Sequence, residues 1–244
     1  MRTEDICTNK KGLNMGGILF VHGLGSSGWR ALWLKNQFSD ATVLAPEMPY
    51  KNILQKFWKV PGALTESRKI VTGIIEKEQP DLVIGSSLGA WVALSVSCET
   101  QGKIPLLLLA PVWNKQIREG VISHYSPLLG KIAKFFLSFN LPARLIIGHT
   151  DQAVCPARTL IIHSRNDELV DPEQSRILLR ANVVSEEIKS GWVNPIATQM
   201  AASELLPDQA SDGRLFLAGS GHRLAGHDGG KAILAAAEAI LSLR

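Results

Sequence analysis

The stretch "DLVIGSSLGAWVALSVS", residues 81–97, sets two adjacent serines between glycines, behind a short apolar run and ahead of a longer one. The leading run is continuously apolar rather than alternating, as expected for a strand buried on both faces. The trailing run suits a helix over 88–98. Gly85, Ser87 and Gly89 match G-x-S-x-G, and the strand before and helix after give the pentapeptide the setting of a nucleophile elbow. A turn this sharp drives its central serine into a strained backbone conformation and leaves no room for side chains two residues to either side. Glycine meets that demand at 85 and 89, and Ala90 keeps the crossing close. Ser87, rather than Ser86, occupies the central position. The plainer alternative is that both are ordinary turn and helix-capping serines.

Outward from this segment, short apolar runs alternate with helical patterns in the manner of βαβ units, without internal repeat, low-complexity tract or obvious linker. The expected strands are "GILFVH" (17–22), "TVLA" (42–45), "DLVIG" (81–85), "LLLLA" (106–110), "TLIIH" (159–163) and "RLFLA" (214–218). Helices are expected near 28–38, 65–78, 88–98, 172–181 and 229–243. The fold class is therefore α/β: a mostly parallel sheet of about six or more strands flanked by helices, in one domain spanning 1–244. Two connections are long. Residues 182–213 surround "SGWVNPIATQMAASELL". Residues 112–158 leave after "LLLLAPVW" and carry Leu128, Leu129, Ile132, Phe135, Phe136 and Phe139 at spacings of three and four. That second excursion starts at the carboxyl end of a strand, the edge where ligands bind, so it is read as a small cap with Trp113, Phe135 and Phe136 lining a substrate pocket. The plainer reading packs the stripe on the domain core.

A serine hydroxyl is a poor nucleophile without a base, and the base needs an acid to orient it. After the fifth strand comes "SRNDELVDPEQ", which offers Asp167, Glu168 and Asp171. Asp171 precedes Pro172 and a helical pattern, so it is the expected helix cap. Asp167, in the loop leaving the strand, remains as the orienting acid. After the sixth strand comes "GSGHRLAGHDGG". A glycine-flanked loop can lay His222 over the elbow, whereas His227 and Asp228 fall in the first turn of the final helix. The chain order Ser87, Asp167, His222 is that of a serine nucleophile, its acid and its base.

The loop "VHGLGSSGWRALWL" admits two readings. Gly23, Gly25 and Gly28 have the G-x-G-x-x-G spacing between a strand and a helix, with Glu47 at about the distance of a ribose-binding acid. Against a dinucleotide site stand the position of Glu47 after Pro46, the bulk of Trp29 directly after the last glycine, and the lack of any use for Ser87, Asp167 and His222. In the other reading, the backbone amides of Leu24 and Leu88 face a developing oxyanion and His22 orders the loop.

With 244 residues, of which 45% are hydrophobic, the chain can fill a substantial core. A formal charge of +4 without a run of like charges gives no basic patch for nucleic acid or an acidic membrane. Cys7, Cys98 and Cys155 form an odd, scattered set that suits neither a disulfide framework nor a metal site, which fits a reducing cytoplasm. The N-terminus lacks the apolar core of a secretory signal, and no 18-residue apolar stretch offers a membrane span.

From "FVHGLGSSGW" through "IGSSLGAWVAL" and "IIHSRNDELV" to "GSGHRL", nearly the whole chain resembles the α/β-hydrolase superfamily. Within it, "HGLGSSGWRALWL", "GSSLG" and "GHRL" resemble the small bacterial serine esterases of the YqiA type, although residues 127–158 are longer than in that compact group. The resemblance implies a serine hydrolase acting on a small carboxylic ester or thioester without metal or cofactor, with Ser87, Asp167 and His222 as its triad. The same apparatus serves acyltransferases, peptidases and carbon–carbon bond hydrolases, and a non-catalytic ligand-binding protein could use the same scaffold. The sequence leaves the acyl chain, the leaving group and the oligomeric state open.

Overall fold

The computed structural model describes residues 17–23, 29–50, 60–100, 103–112, 158–180, 183–209 and 211–243. Six strands, β1 (Ile18–Val21), β2 (Val43–Leu44), β3 (Leu82–Ser86), β4 (Leu106–Leu109), β5 (Thr159–His163) and β6 (Leu215–Leu217), correspond to the six apolar runs. All pair in parallel, in the order β2-β1-β3-β4-β5-β6.

Continuous apolar strands make sense because successive side chains feed two different cores. Ile18, Phe20, Leu82, Ile84, Leu107, Leu109, Leu160 and Ile162 point to one face. Leu19, Val21, Val83, Leu106, Leu108 and Ile161 point to the other. The first core is closed by α1 (Trp29–Gln37) and by α7 (His227–Leu241), whose buried Ala232, Ala235, Ala236 and Ala239 let the helix lie close to the sheet. The second is closed by α2 (Val60–Glu78), α3 (Leu88–Glu99) and α4 (Glu173–Arg180). Asp171 caps α4 as expected: its Oδ1 accepts from the Glu173 amide at 3.0 Å.

One helix start differs clearly from the sequence reading: α2 begins at Val60, five residues before the expected start. Helix α7 begins at His227, which puts His227 and Asp228 in its first turn as expected. The long connection 182–213 contains helical structure in spite of its Gly191 and Pro195. It contains α5 (Glu186–Ile188), a π turn (Lys189–Val193) and α6 (Asn194–Ala202), in which Ser185 caps α5 and the proline sits in the first turn of α6. A proline at a helix start loses no hydrogen bond, and a wider turn ahead of it relieves the clash of its ring with the preceding backbone. Trp192, Val193, Ile196 and Met200 then join the first core.

The strand order reverses between β1 and β3, and open parallel sheets bind ligands outside the carboxyl ends of the strands at such a point. Ser87 follows β3 directly at that crevice, and β1 ends beside it at His22 and Gly23. The expected cap, including Trp113, Phe135 and Phe136, lies outside the described residues apart from Val112 and Arg158 at its two ends. Among the described residues no helix is long and apolar enough to cross a membrane.

Candidate active site

Ser87 has φ +53°, a left-handed conformation that a non-glycine residue adopts at a cost. It is held there from both sides: its amide donates to the Leu109 carbonyl of β4 at 2.8 Å, and its carbonyl accepts from the Ala90 amide at 3.1 Å. The flanking glycines are steric necessities. A Cβ on Gly89 would stand 2.2 Å from the Val21 carbonyl oxygen and 2.4 Å from that of His22, and one on Gly85 would stand 2.6 Å from the Ala90 Cα. Helix α3 therefore starts against the end of β1, and the side chain of Ser87 is lifted to the rim of the sheet.

The candidate acid, Asp167, comes from the turn after β5. Asp167 is 2% exposed, and its Oδ1 accepts from the amides of Leu169 and Val170, each at 2.8 Å. Its Oδ2 lies 3.1 Å from Nε2 of His163, the last residue of β5. Burial acts to raise the pKa of this carboxyl, but hydrogen bonds from His163 and His222, the charge of His222 and the Val170 amide outweigh it. The net result holds Asp167 well below the usual carboxylate range.

The candidate base, His222, comes from the loop after β6. Gly219 and Gly221 take φ +73° and +62°, so the chain reverses within a few residues and presents His222 to both partners. His222 Nδ1–H donates to Asp167, 2.9 Å from Oδ2 and 3.1 Å from Oδ1, while its Nε2 accepts from the Ser87 hydroxyl at 2.8 Å. The loop is gripped by the neighbours of the acid: the Gly221 amide donates to Asn166 Oδ1 at 3.1 Å and the His222 amide to Glu168 Oε2 at 3.0 Å. On the far side, buried Arg30 of α1 donates to the Arg223 carbonyl. Burial first, and then the charge of Arg223, brings the Arg30 guanidinium down to about 10. His227, the other candidate histidine, opens α7.

The first loop packs against the nucleophile. A Cβ on Gly23 would come within 2.9 Å of the Ser87 Cβ and 3.0 Å of the Ser86 carbonyl oxygen. His22 is fully engaged in holding this backbone: Nδ1–H donates to the Gly23 carbonyl at 2.9 Å and Nε2 accepts from the Met48 amide at 3.1 Å. Tyr50 donates its hydroxyl to the His22 carbonyl at 2.5 Å, and burial pushes that phenol well above its ordinary pKa. Leu88 is the first residue of α3, where helix amides lack an intrahelical acceptor, so its N–H is suited to an oxyanion beside Ser87. Leu24, Gly25 and Gly28 lie outside the described residues.

The structure thus brings Ser87, His222 and Asp167 into one hydrogen-bonded row with Leu88 adjoining. The sequence offered Glu168 only as an alternative acid and gave no role to His163, Asn166 or Arg30. A histidine inside a strand otherwise buried and apolar was the one available sign for His163; the others act on backbone groups far away in the chain and leave no local pattern.

No family model matches the chain. A curated 4-hydroxy-tetrahydrodipicolinate synthase from Fervidobacterium nodosum is 33% identical over 61 residues, 25% of this chain and 21% of that enzyme. The chain therefore spans about a fifth of the length of the curated relative it matches. Among solved structures, one from Xanthomonas campestris pv. campestris, described as a hydrolase of the α/β superfamily, aligns over 93% of this chain and 97% of its own, with TM-score 0.52 and 18% identity. A metagenome-derived lipolytic enzyme aligns over 69% of this chain and 80% of its own, with TM-score 0.48 and 14% identity. The thioesterase RedJ of Streptomyces coelicolor aligns over 70% of this chain and 78% of its own, with TM-score 0.40 and 15% identity. Together with the six-stranded all-parallel sheet and its flanking helices, the near end-to-end alignment with the Xanthomonas structure shows that the chain has the α/β-hydrolase fold.

Proposed function

We propose that the protein is a serine hydrolase that cleaves a carboxylic ester or thioester of a small molecule through an acyl-enzyme on Ser87. The observation that carries this reading is the row itself: a serine at φ +53° donates to His222 Nε2 at 2.8 Å, and the opposite ring nitrogen donates to a buried carboxylate. Such a row has no evident structural use, because it strains the backbone and keeps a carboxylate out of water.

In this mechanism the Ser87 oxygen attacks the acyl carbonyl while its proton passes to His222 Nε2. Asp167 holds the ring with Nδ1–H inward and stabilises the imidazolium. The Leu88 amide and, in this proposal, the Leu24 amide stabilise the oxyanion. Collapse of the tetrahedral species breaks the bond to the leaving group, which takes the proton from His222. Water then attacks the acyl-enzyme, gives its proton to His222 and releases the acid, with the proton returned to Ser87. None of these steps calls for a metal or cofactor. The narrower likeness to YqiA-type esterases rests on "HGLGSSGWRALWL", "GSSLG" and "GHRL". The excursion 112–158 is proposed as a cap whose Trp113, Phe135 and Phe136 set the acyl length.

A fluorophosphonate probe followed by peptide mapping tests the reading. Ser87 should carry the label, Ser87→Ala should lose both label and ester hydrolysis, and Ser86→Ala should keep both. Chromogenic esters of increasing chain length, with and without added alcohol acceptors, then define the acyl group and separate hydrolysis from transfer. Wild-type protein that takes up no probe but binds a nicotinamide nucleotide would return the glycine loop to the dinucleotide reading.

A further inference from the structure

Behind the acid, His163 is fully buried at the end of β5. Its Nε2 lies 3.1 Å from Asp167 Oδ2 and 3.1 Å from the Val170 carbonyl oxygen, both acceptors, so the Nε2 atom must carry a proton. Its Nδ1 lies 2.7 Å from Oγ of Ser175, a fully buried serine in the first turn of α4. Among the described residues Ser175 is the hydrogen-bond partner of that nitrogen, and its hydroxyl can donate as well as accept.

We infer that His163 is a positioning residue that extends the site to a row of five, Ser87, His222, Asp167, His163 and Ser175, in which a neutral imidazole holds the carboxylate from behind. The inference rests on the hydrolase reading above. The two acceptors at Nε2 fix the tautomer that donates to Asp167, and the Ser175 hydroxyl donates to the Nδ1 left bare. The Nε2 proton does two things. It locks the rotation of the carboxylate, whose other oxygen is already pinned by the Leu169 and Val170 amides. It also draws charge from the oxygen that faces His222, which moderates how strongly the imidazolium is stabilised. Removing the donor leaves Oδ2 to His222 alone, so the imidazolium becomes easier to form and the base is lost at a higher pH.

The charged groups around the row remain in place when His163 is replaced. Arg165, Glu168, Asp171, Arg176 and Asp208 line the cavity beside Asp167. Arg223 follows His222, with Arg30 on its carbonyl. A shift in the pH profile therefore reports the lost donor rather than a changed neighbourhood.

The test compares wild-type protein with His163→Phe, which fills the space without a proton, and His163→Gln, which can donate again. For His163→Phe the acid limb of kcat/KM should move up by about 0.5–1 pH unit, and kcat should fall about tenfold with KM little changed. His163→Gln should bring the limb back toward wild type. Nitrogen-15 NMR of the wild type gives a readout independent of activity and of the variants folding: His163 should show a protonated Nε2 and a bare Nδ1 under the assay conditions. A doubly protonated His163 overturns the inference, as does an unmoved acid limb in folded His163→Phe. Absence of probe labelling at Ser87 overturns the hydrolase reading instead, whatever the nitrogen shifts show.

Discussion

Replacing Asp167 with asparagine should silence the enzyme without unfolding it, and the reason lies in which atoms surround the carboxylate. Oδ1 accepts two backbone amides at 2.8 Å, so the asparagine must place its carbonyl there and its NH2 group at the Oδ2 position; that carbonyl, 3.1 Å from His222 Nδ1 and already holding two amides, is the weaker acceptor for the ring. The NH2 group then faces His222 Nδ1, from 2.9 Å, and His163 Nε2, from 3.1 Å. Two N–H groups cannot point at each other. His222 is the freer ring, so it presents a bare Nδ1 to the amide and moves its proton to Nε2, the nitrogen that should receive the Ser87 proton. The base is thereby turned into a donor. A wrong tautomer of this kind costs about four powers of ten in kcat, equivalent to about 5 kcal/mol of barrier. The assay is single-turnover and steady-state hydrolysis of a chromogenic ester, with thermal unfolding to show that the variant is folded and fluorophosphonate labelling of Ser87 slowed in parallel. A folded Asp167→Asn enzyme that loses less than about tenfold would refute the assignment of Asp167 as the orienting acid.

Two further expectations concern stability. Gly89→Ala forces a methyl group against the β1 backbone, 2.2 Å from the Val21 carbonyl oxygen, and should cost about 3 kcal/mol, or about 6–12 °C in Tm for a chain of this size. Gly73→Ala, in the exposed middle of α2 with nothing within 4 Å, should instead raise stability by about 0.5–1 kcal/mol; equal effects of the two would mean that α3 does not abut β1. Asp167 has a folded pKa below its ordinary value, so its contribution is complete above about pH 4 and is lost as pH falls toward the depressed folded value. The stability difference between wild type and Asp167→Asn should therefore shrink in acid, measured by denaturant titration from pH 6 down to 2, and a difference that grows in acid would contradict the direction of the shift.

The elbow was legible because its requirements are local and steric: a strand, a turn that tolerates only glycine at 85 and 89, and a helix, all within 17 residues. The candidate acid and base could be picked out because each follows an apolar run by a few residues, and the sheet turns chain order into spatial order. Asp171 could be separated from Asp167 because Pro172 marks a helix start. What supports these residues was not legible. Asn166 and Glu168 look like turn filler beside Asp167, since their partners are amides 55 and 54 residues away. His163 reads as one more residue of a buried strand until its two acceptors are in view. The run from α5 to α6 was hidden for a different reason: Gly191 and Pro195 are breakers by propensity, and only the core contacts of Trp192, Ile196 and Met200 show why a helix persists there.

The order of strands across the sheet also sets a clock. From β3 outward the sheet adds β4, β5 and β6 in the order in which the ribosome delivers them, so Ser87 waits for an acid and then for a base that lies 135 residues further on. At translation speeds of about 5–20 residues per second, that wait lasts about 7–27 s. On the hydrolase reading proposed above, the serine would lack its proton acceptor until β6 and the glycine loop behind it are in place to bring His222 to Ser87, so turnover would report that the carboxyl half has folded. A nick within 112–158 would divide the same parts between two fragments, the nucleophile on one and its acid and base on the other, and neither would be armed until they met.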